Sequence, residues 1–142
     1  MPVTLAVDAE RLVGDFLRSF ADMTAQVGTR VFTSIPNGQA VAKFVQFGQI
    51  GGTKPVGHWG QPVTPRVDAA TIDFHSYGAT RQDAKTVALT VEAVMYQAIG
   101  TRALGTVLNV EQTLGLIWNP DPGYEPPAPR FTQTFTVWIR PN

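Results

Sequence analysis

The sequence contains no cysteine. Disulfides, thiolate nucleophiles and cysteine-ligated zinc are excluded at once. Histidine is nearly as scarce, with only His58 and His75, and no H-x-x-x-H or comparable pair offers itself to a metal. Charge is thin: 15% of the 142 residues are Asp, Glu, Lys or Arg, against about 25% in an ordinary soluble domain. Eleven basic and eleven acidic residues give a formal net charge of zero, which argues against the cationic footprint of a nucleic-acid-binding protein. No apolar run approaches the roughly 20 residues that span a bilayer. The start, MPVTLAVDAERLVG, lacks the basic stretch and apolar centre of a secretory signal. The expectation is a protein made and kept in a cytoplasm, away from membranes.

What is present is ample apolar material. Hydrophobic residues make up 44% of the chain, enough for one packed domain spanning residues 1–142 that buries roughly 70% of the surface of its unfolded chain. Thr, Gln, Gly and Pro take the place of charge. A polar but weakly charged surface suits a protein packed against other subunits, and it suits a neutral soluble monomer equally well.

Apolar residues at Leu12, Val13, Phe16, Leu17, Phe20, Met23 and Val27 recur every three to four positions, which predicts one helix from Val7 to Val27. Asp8 is its expected N-cap and Gly28 its stop. The β-branched RVFTSI, Arg30 to Ile35, predicts a strand, and Pro36–Asn37–Gly38 a turn into a second, antiparallel strand, QAVAKFVQFG. Within that second strand Val45 and Phe47 share one face, Phe44 and Gln46 the other. RVDAATIDFHSYG, Arg66 to Gly78, predicts a strand with Ile72 and Phe74 on one face, Asp73 and His75 on the other.

A second helix follows. Ala84, Val87, Ala88, Val91, Val94, Met95, Ala98 and Ile99 form its stripe, Thr80 and Asp83 resemble a capping box, and Gly100 closes it. TVLNVEQTLGLIW, Thr106 to Trp118, predicts a strand interrupted near Gly115. Asn119 to Pro129 carries five prolines in eleven residues and is expected to be an extended loop, since proline cannot donate to a ladder. RFTQTFTVWIR alternates Phe131, Phe135, Val137 and Ile139 with Thr132, Thr134, Thr136 and Trp138, a last strand. The order predicts an α+β domain: a mainly antiparallel sheet with two helices on one face and long loops for subunit contacts.

The stretch FGQIGGTKPVGHWGQP, Phe47 to Pro62, holds five glycines and, at Gly51–Lys54, an echo of a nucleotide-binding loop. Such a loop needs G-x-x-x-x-G-K-[ST] between a strand and a helix. Here Thr53 precedes Lys54, and Pro55 removes an N–H where a helix should begin. None of Ser19, Ser34 and Ser76 lies in G-x-S-x-G, and Ser76 points away from its neighbour His75 in a strand. The eleven acids are scattered, so no carboxylate pair is evident. No catalytic, cofactor or metal residue is assigned.

The positive signals are two long loops that carry aromatics: Trp59 in the first, beside His58 and near Lys54, and Tyr124 in the second. Loops of this length tend to be functional, and aromatic residues on them are common interface anchors. The alternative is that Trp59 and Tyr124 fold back as lids on the core. Arg130 and Arg140 flank the last strand, as intersubunit ion-pair partners or as solvated strand ends.

Taken together, RVFTSIP after an N-terminal helix, a proline-bearing middle loop, IDFHSYGATRQDAKTVALTVEAVMYQAI, and PRFTQTFTVWIRP behind a proline loop resemble the tail terminator (tail completion) proteins of long-tailed, siphovirus-type bacteriophages. The resemblance lies in element order, length and local flavour over nearly the whole chain. The glycines of Gly48–Gly60 depart from it.

The resemblance implies a hexameric ring that caps the tail tube, ends tail elongation and offers a surface to a head-side connector or stopper protein. It implies no enzyme activity and no cofactor. The protein would sit in the tail or neck of the virion after assembly in the bacterial host's cytoplasm. DNA would pass through the lumen without specific binding, which zero net charge fits. Two other readings compete: another neck protein, such as a head–tail joining or stopper ring, and a small-molecule-binding or enzymatic α+β domain with a deep pocket of converging polar groups.

Overall fold

The computed structural model describes residues 7–53 and 67–142. The elements in chain order are α1 (Ala9–Ser19), α2 (Ala21–Val27), β1 (Val31–Phe32), β2 (Phe44–Thr53), β3 (Asp68–Tyr77), α3 (Arg81–Met95), a 3-10 turn (Tyr96–Ala98), β4 (Gly100–Thr101), β5 (Thr106–Trp118) and β6 (Arg130–Arg140). The six strands form one sheet in the order β1-β2-β3-β6-β5-β4. The β2–β3, β3–β6, β6–β5 and β5–β4 pairs are antiparallel, and only β1–β2 is parallel. The fold class is α+β, as the element order implies.

The expected first helix is two helices. Asp8 caps α1 by accepting the Arg11 N–H at 3.1 Å. The chain then leaves helical geometry at Phe20, whose φ and ψ are −89° and 123°. Ser19 donates its hydroxyl to the Phe16 carbonyl at 2.8 Å, which satisfies one of the orphan acceptors of a helix end. Phe20, Met23 and Val27 keep helical spacing across the break, so periodicity alone hides it.

The expected β1–β2 hairpin is absent. The turn at Asn37–Gly38 forms, with Gly38 at φ +78°. Yet the chain from 33 to 43 loops round and re-enters beside β1 in the same direction, with Val31 opposite Val45. Arg30 holds this return: its carbonyl accepts the Val45 N–H at 3.1 Å and its Nε donates to the Lys43 carbonyl at 2.9 Å. The first strand is therefore two residues, not six.

On β3 the predicted alternation holds: Ile72 and Phe74 are buried, Asp73 and His75 half-buried. Val45 and Phe47, Ala70, Ile72 and Phe74, Phe135, Val137 and Ile139, and Val107 and Val110 meet the inward faces of all three helices in the main core. Phe74 is its centre, packed on Phe47 and, edge-on, on Phe135. Thr80 caps α3 by accepting the Asp83 N–H at 3.1 Å. The helix ends at Met95, earlier than predicted, and tightens into the 3-10 turn. Gly100 opens β4 instead of capping a helix; its φ of +131° is one that only glycine adopts readily. Ile99 leaves the stripe and is exposed.

The predicted interruption near Gly115 is real: the β5–β6 register shifts between Leu114 and Ile117, and also between Val107 and Asn109 and between Gln112 and Leu114. The proline segment is more ordered than an extended loop. It prolongs the β5–β6 hairpin, with reciprocal hydrogen bonds between Asp121 and Ala128 and an Asn119 N–H donating to the Arg130 carbonyl. Its five prolines leave these donors free to pair.

Candidate subunit interface

Three features of the described residues lie away from the main core: the sheet edges, the sheet face opposite α1, α2 and α3, and the tip of the β5–β6 hairpin.

Among the described residues, the edges are long and hardly covered. Strand β4 pairs only with Thr106 and Val107 of β5, and β1 only with Val45 and Gln46 of β2. Beyond those, no strand among the described residues pairs with the outer side of β5 over Leu108–Trp118, which bonds only inward to β6, or with the outer side of β2 over Phe47–Thr53, which bonds only inward to β3. On β5, Leu108, Leu114, Ile117 and Trp118 are exposed; on β2, Ile50 is 65% exposed at a bulge. An open edge carrying apolar side chains templates pairing with another chain, and monomers normally blunt it with charge, proline or a cover. Trp118 is held in place: its ring packs on Phe131, and the Arg81 guanidinium lies over it at 4.7 Å.

These edge residues were missed by the sequence reading. A signal exists, because the adjacent Val107–Leu108 and Leu116–Ile117–Trp118 break the alternation and put apolar side chains on both faces of the strand.

The face opposite the helices is polar along β3 and β6. Asp73 accepts from the Thr134 hydroxyl at 3.0 Å and lies 2.9 Å from His75 Nε2. Thr71 and Thr136 face each other alongside, and Glu111 of β5 lies opposite Thr136.

At one end of this face a small second cluster forms. Phe44 stacks on Tyr77 with centroids 4.2 Å apart, and Tyr124 packs edge-on against Tyr77 at 6.3 Å. Asp121 ties the hairpin tip down: it accepts the Tyr77 hydroxyl at 2.7 Å and the Gly123 N–H at 2.9 Å, and Arg130 Nη1 lies 3.7 Å away. Burial pushes the Tyr77 phenol up to about 12, helped by the hydrogen bond to Asp121. Burial opposes ionisation of Asp121, but hydrogen bonds from Tyr77 and Gly123 and the charge of Arg130 outweigh it and hold the carboxyl below its ordinary value. Burial, then the Asp121 charge, raises Tyr124.

Tyr124 is thus half-buried against Tyr77, and Arg130 is engaged within its own chain by Asp121 and the Asn119 carbonyl. Arg140 is exposed at the far end of β6. Lys54, His58 and Trp59 lie outside the described residues. Among those described, no group of three His, Asp or Glu side chains gathers as a metal would need, and no helix is long and apolar enough to cross a membrane. A groove of about 430 Å³ between α2 and α3 is lined by Asp22, Gln26, Thr86, Leu89 and Thr90 among others, with Asp22 the one charged residue of that lining.

The chain shares its fold with a component of a virion. Its counterpart is a chain in the solved virion of a native gene transfer agent (GTA) particle, at a TM-score of 0.71 and 17% identity, covering 93% of this chain and 94% of that one. No family model and no curated protein sequence matches.

Proposed function

We propose that this chain is a structural protein of a phage-type virion, folded as one domain. In the finer form, it is a subunit of a ring, expected to be hexameric, that caps the tail tube, ends tail elongation and receives a head-side connector or stopper. The observation that carries the reading is end-to-end likeness, over 93% of this chain, to a chain of a gene transfer agent virion. Two features of the molecule support it. The open apolar edges of β2 and β5 ask for a covering chain. The polar face with Thr71, Asp73, Thr136 and Glu111 has the character of a wall past which DNA slides, because phosphate is not held by threonine and carboxylate as it is by clustered Lys and Arg. The role is one of assembly, not catalysis.

The two long connections fit the same role. The one after Thr53 and the proline hairpin leave from opposite ends of β2 and β6, as the register of β2 and β6 on β3 dictates. A ring built from such subunits has two different rims, one for the tube and one for the head side. Trp59, with Lys54 and His58, is the proposed anchor on the first rim. Tyr124 and Arg130 shape the second, and Arg140 is available to a neighbour.

Electron microscopy of a lysate in which the gene carries an early stop codon tests this. Headless tails of uncontrolled length are expected. Tails of normal length beside full heads would move the protein to the joining step. Normal virions would refute a structural role.

A further inference from the structure

Resting on the ring reading, we infer that neighbouring subunits join through their sheets: the free edge of β5 in one copy pairs antiparallel with the free edge of β2 in the next. The partner of this edge is a second copy of the chain.

Strand direction is the first argument. The β2–β3, β3–β6 and β6–β5 pairs are all antiparallel. Four long strands alternate, so β2 and β5, at the two sides of the block, run in opposite directions. Copies related by rotation about an axis roughly along the strands keep those directions. At each junction β5 then meets β2 antiparallel, as within the subunit. A block of three long strands would force a parallel junction.

Level is the second argument. Phe47 lies opposite Phe74, which lies opposite Gln133; Thr53 lies opposite Ala69, which lies opposite Trp138. The free edge of β2 therefore spans the levels of Gln133 to Trp138. On the other side of the block, Leu114 lies opposite Thr134 and Asn109 opposite Trp138. The free edges occupy the same levels.

The third argument is where the edges are blocked. Strand β1 covers β2 at Val45 and Gln46, the level of Phe131 and Thr132. At that level β5 has passed its irregularity between Leu114 and Ile117, and bulges bend a strand away from straight pairing. Strand β4 covers β5 only at Thr106 and Val107, the level of Arg140 and Ile139, beyond the end of β2. Among the described residues, the covers sit at opposite ends and leave the middle of both edges open. Leu108, Leu114 and Ile50, exposed in the single chain, are then shielded by the neighbour.

The absence of native cysteine makes the test clean. Single variants Asn109→Cys, Glu111→Cys and Leu114→Cys on β5 are each mixed with Gln49→Cys or Ile50→Cys on β2, assembled and oxidised. A disulfide forms only where Cα atoms come within about 7 Å. The expected result is a cross-linked dimer in at least one mixture and in neither protein alone, and a double variant that gives a ladder ending at the mass of the closed ring. Cross-linking of a β5 variant to itself would mean two-fold β5–β5 pairing and would overturn the inference. So would ring-sized particles by native mass spectrometry that never cross-link in any mixture, with the ring reading intact. A chain that stays monomeric at high concentration and is missing from tail ends would fail the ring reading itself.

Discussion

Asp121→Ala removes one side chain that holds three groups together. The carboxylate accepts the Tyr77 hydroxyl and the Gly123 N–H and faces Arg130, with the Arg130 and Asp121 side chains only 13% and 17% exposed. A hydrogen bond to a charged group contributes about 1.5–3 kcal/mol. The Gly123 bond is exposed and adds less, and Arg130 keeps its bonds to the Asn119 carbonyl and the Tyr77 hydroxyl, which offsets part of the cost of a half-buried cation left without its partner. The expected loss is about 3 kcal/mol, which for a chain of this size lowers Tm by about 10 °C. Thermal melts by circular dichroism at pH 7 measure it. Asp121→Asn retains an acceptor for Gly123 and should fall between.

The sign with pH is fixed. The folded pKa of Asp121 is depressed, so its contribution is present above the unfolded value and lost as pH falls through the folded one. The melting curves of the wild type and Asp121→Ala should therefore converge in acid. In a double-mutant cycle, Tyr77→Phe and Asp121→Ala should couple by about 1–2 kcal/mol. An Asp121→Ala protein melting within about 2 °C of the wild type, or a gap unchanged by acid, would refute the assignment of the hairpin anchor to this carboxylate.

Other outcomes follow from the same geometry. Tyr77 is raised from 10.0 to about 12, so its contribution to stability should be complete below pH 10 and decline as pH rises through about 12, by at most about 3 kcal/mol; Tyr77→Phe should flatten that decline in an alkaline unfolding titration. Gly78→Ala should cost several kcal/mol or block folding, since the new Cβ would run into the backbone of Asp83 and Ala84; soluble yield and melting show it. Leu114→Lys, at a side chain 49% exposed, should leave the melt of the isolated chain within about 0.5 kcal/mol while abolishing assembly, read by native mass spectrometry.

Local signals carried far in this chain. The strands β3, β5 and β6, the α3 stripe with its Thr80 cap, and the interruption near Gly115 are all legible, because alternation and helical spacing report which side chains face a core. The break at Phe20 is not legible, because the apolar spacing continues across it and the reason for the bend is the position of α2 against α3. The parallel β1–β2 pair is not legible either. A turn signal states that the chain reverses locally; it does not state which strand the returning chain will lie beside.

The site divides in the same way. The sequence by itself determined that no thiol chemistry exists, that charge is sparse, and that an α+β sheet carries helices on one face. Only the tertiary structure decided that Tyr124 packs on Tyr77, that Asp121 and Arg130 meet, and that β2 and β5 end up on the two sides of the long-strand block, running in opposite directions. Those are relations between residues far apart in the chain, set by strand order and register, and a one-dimensional pattern of apolar and polar residues holds no term for them.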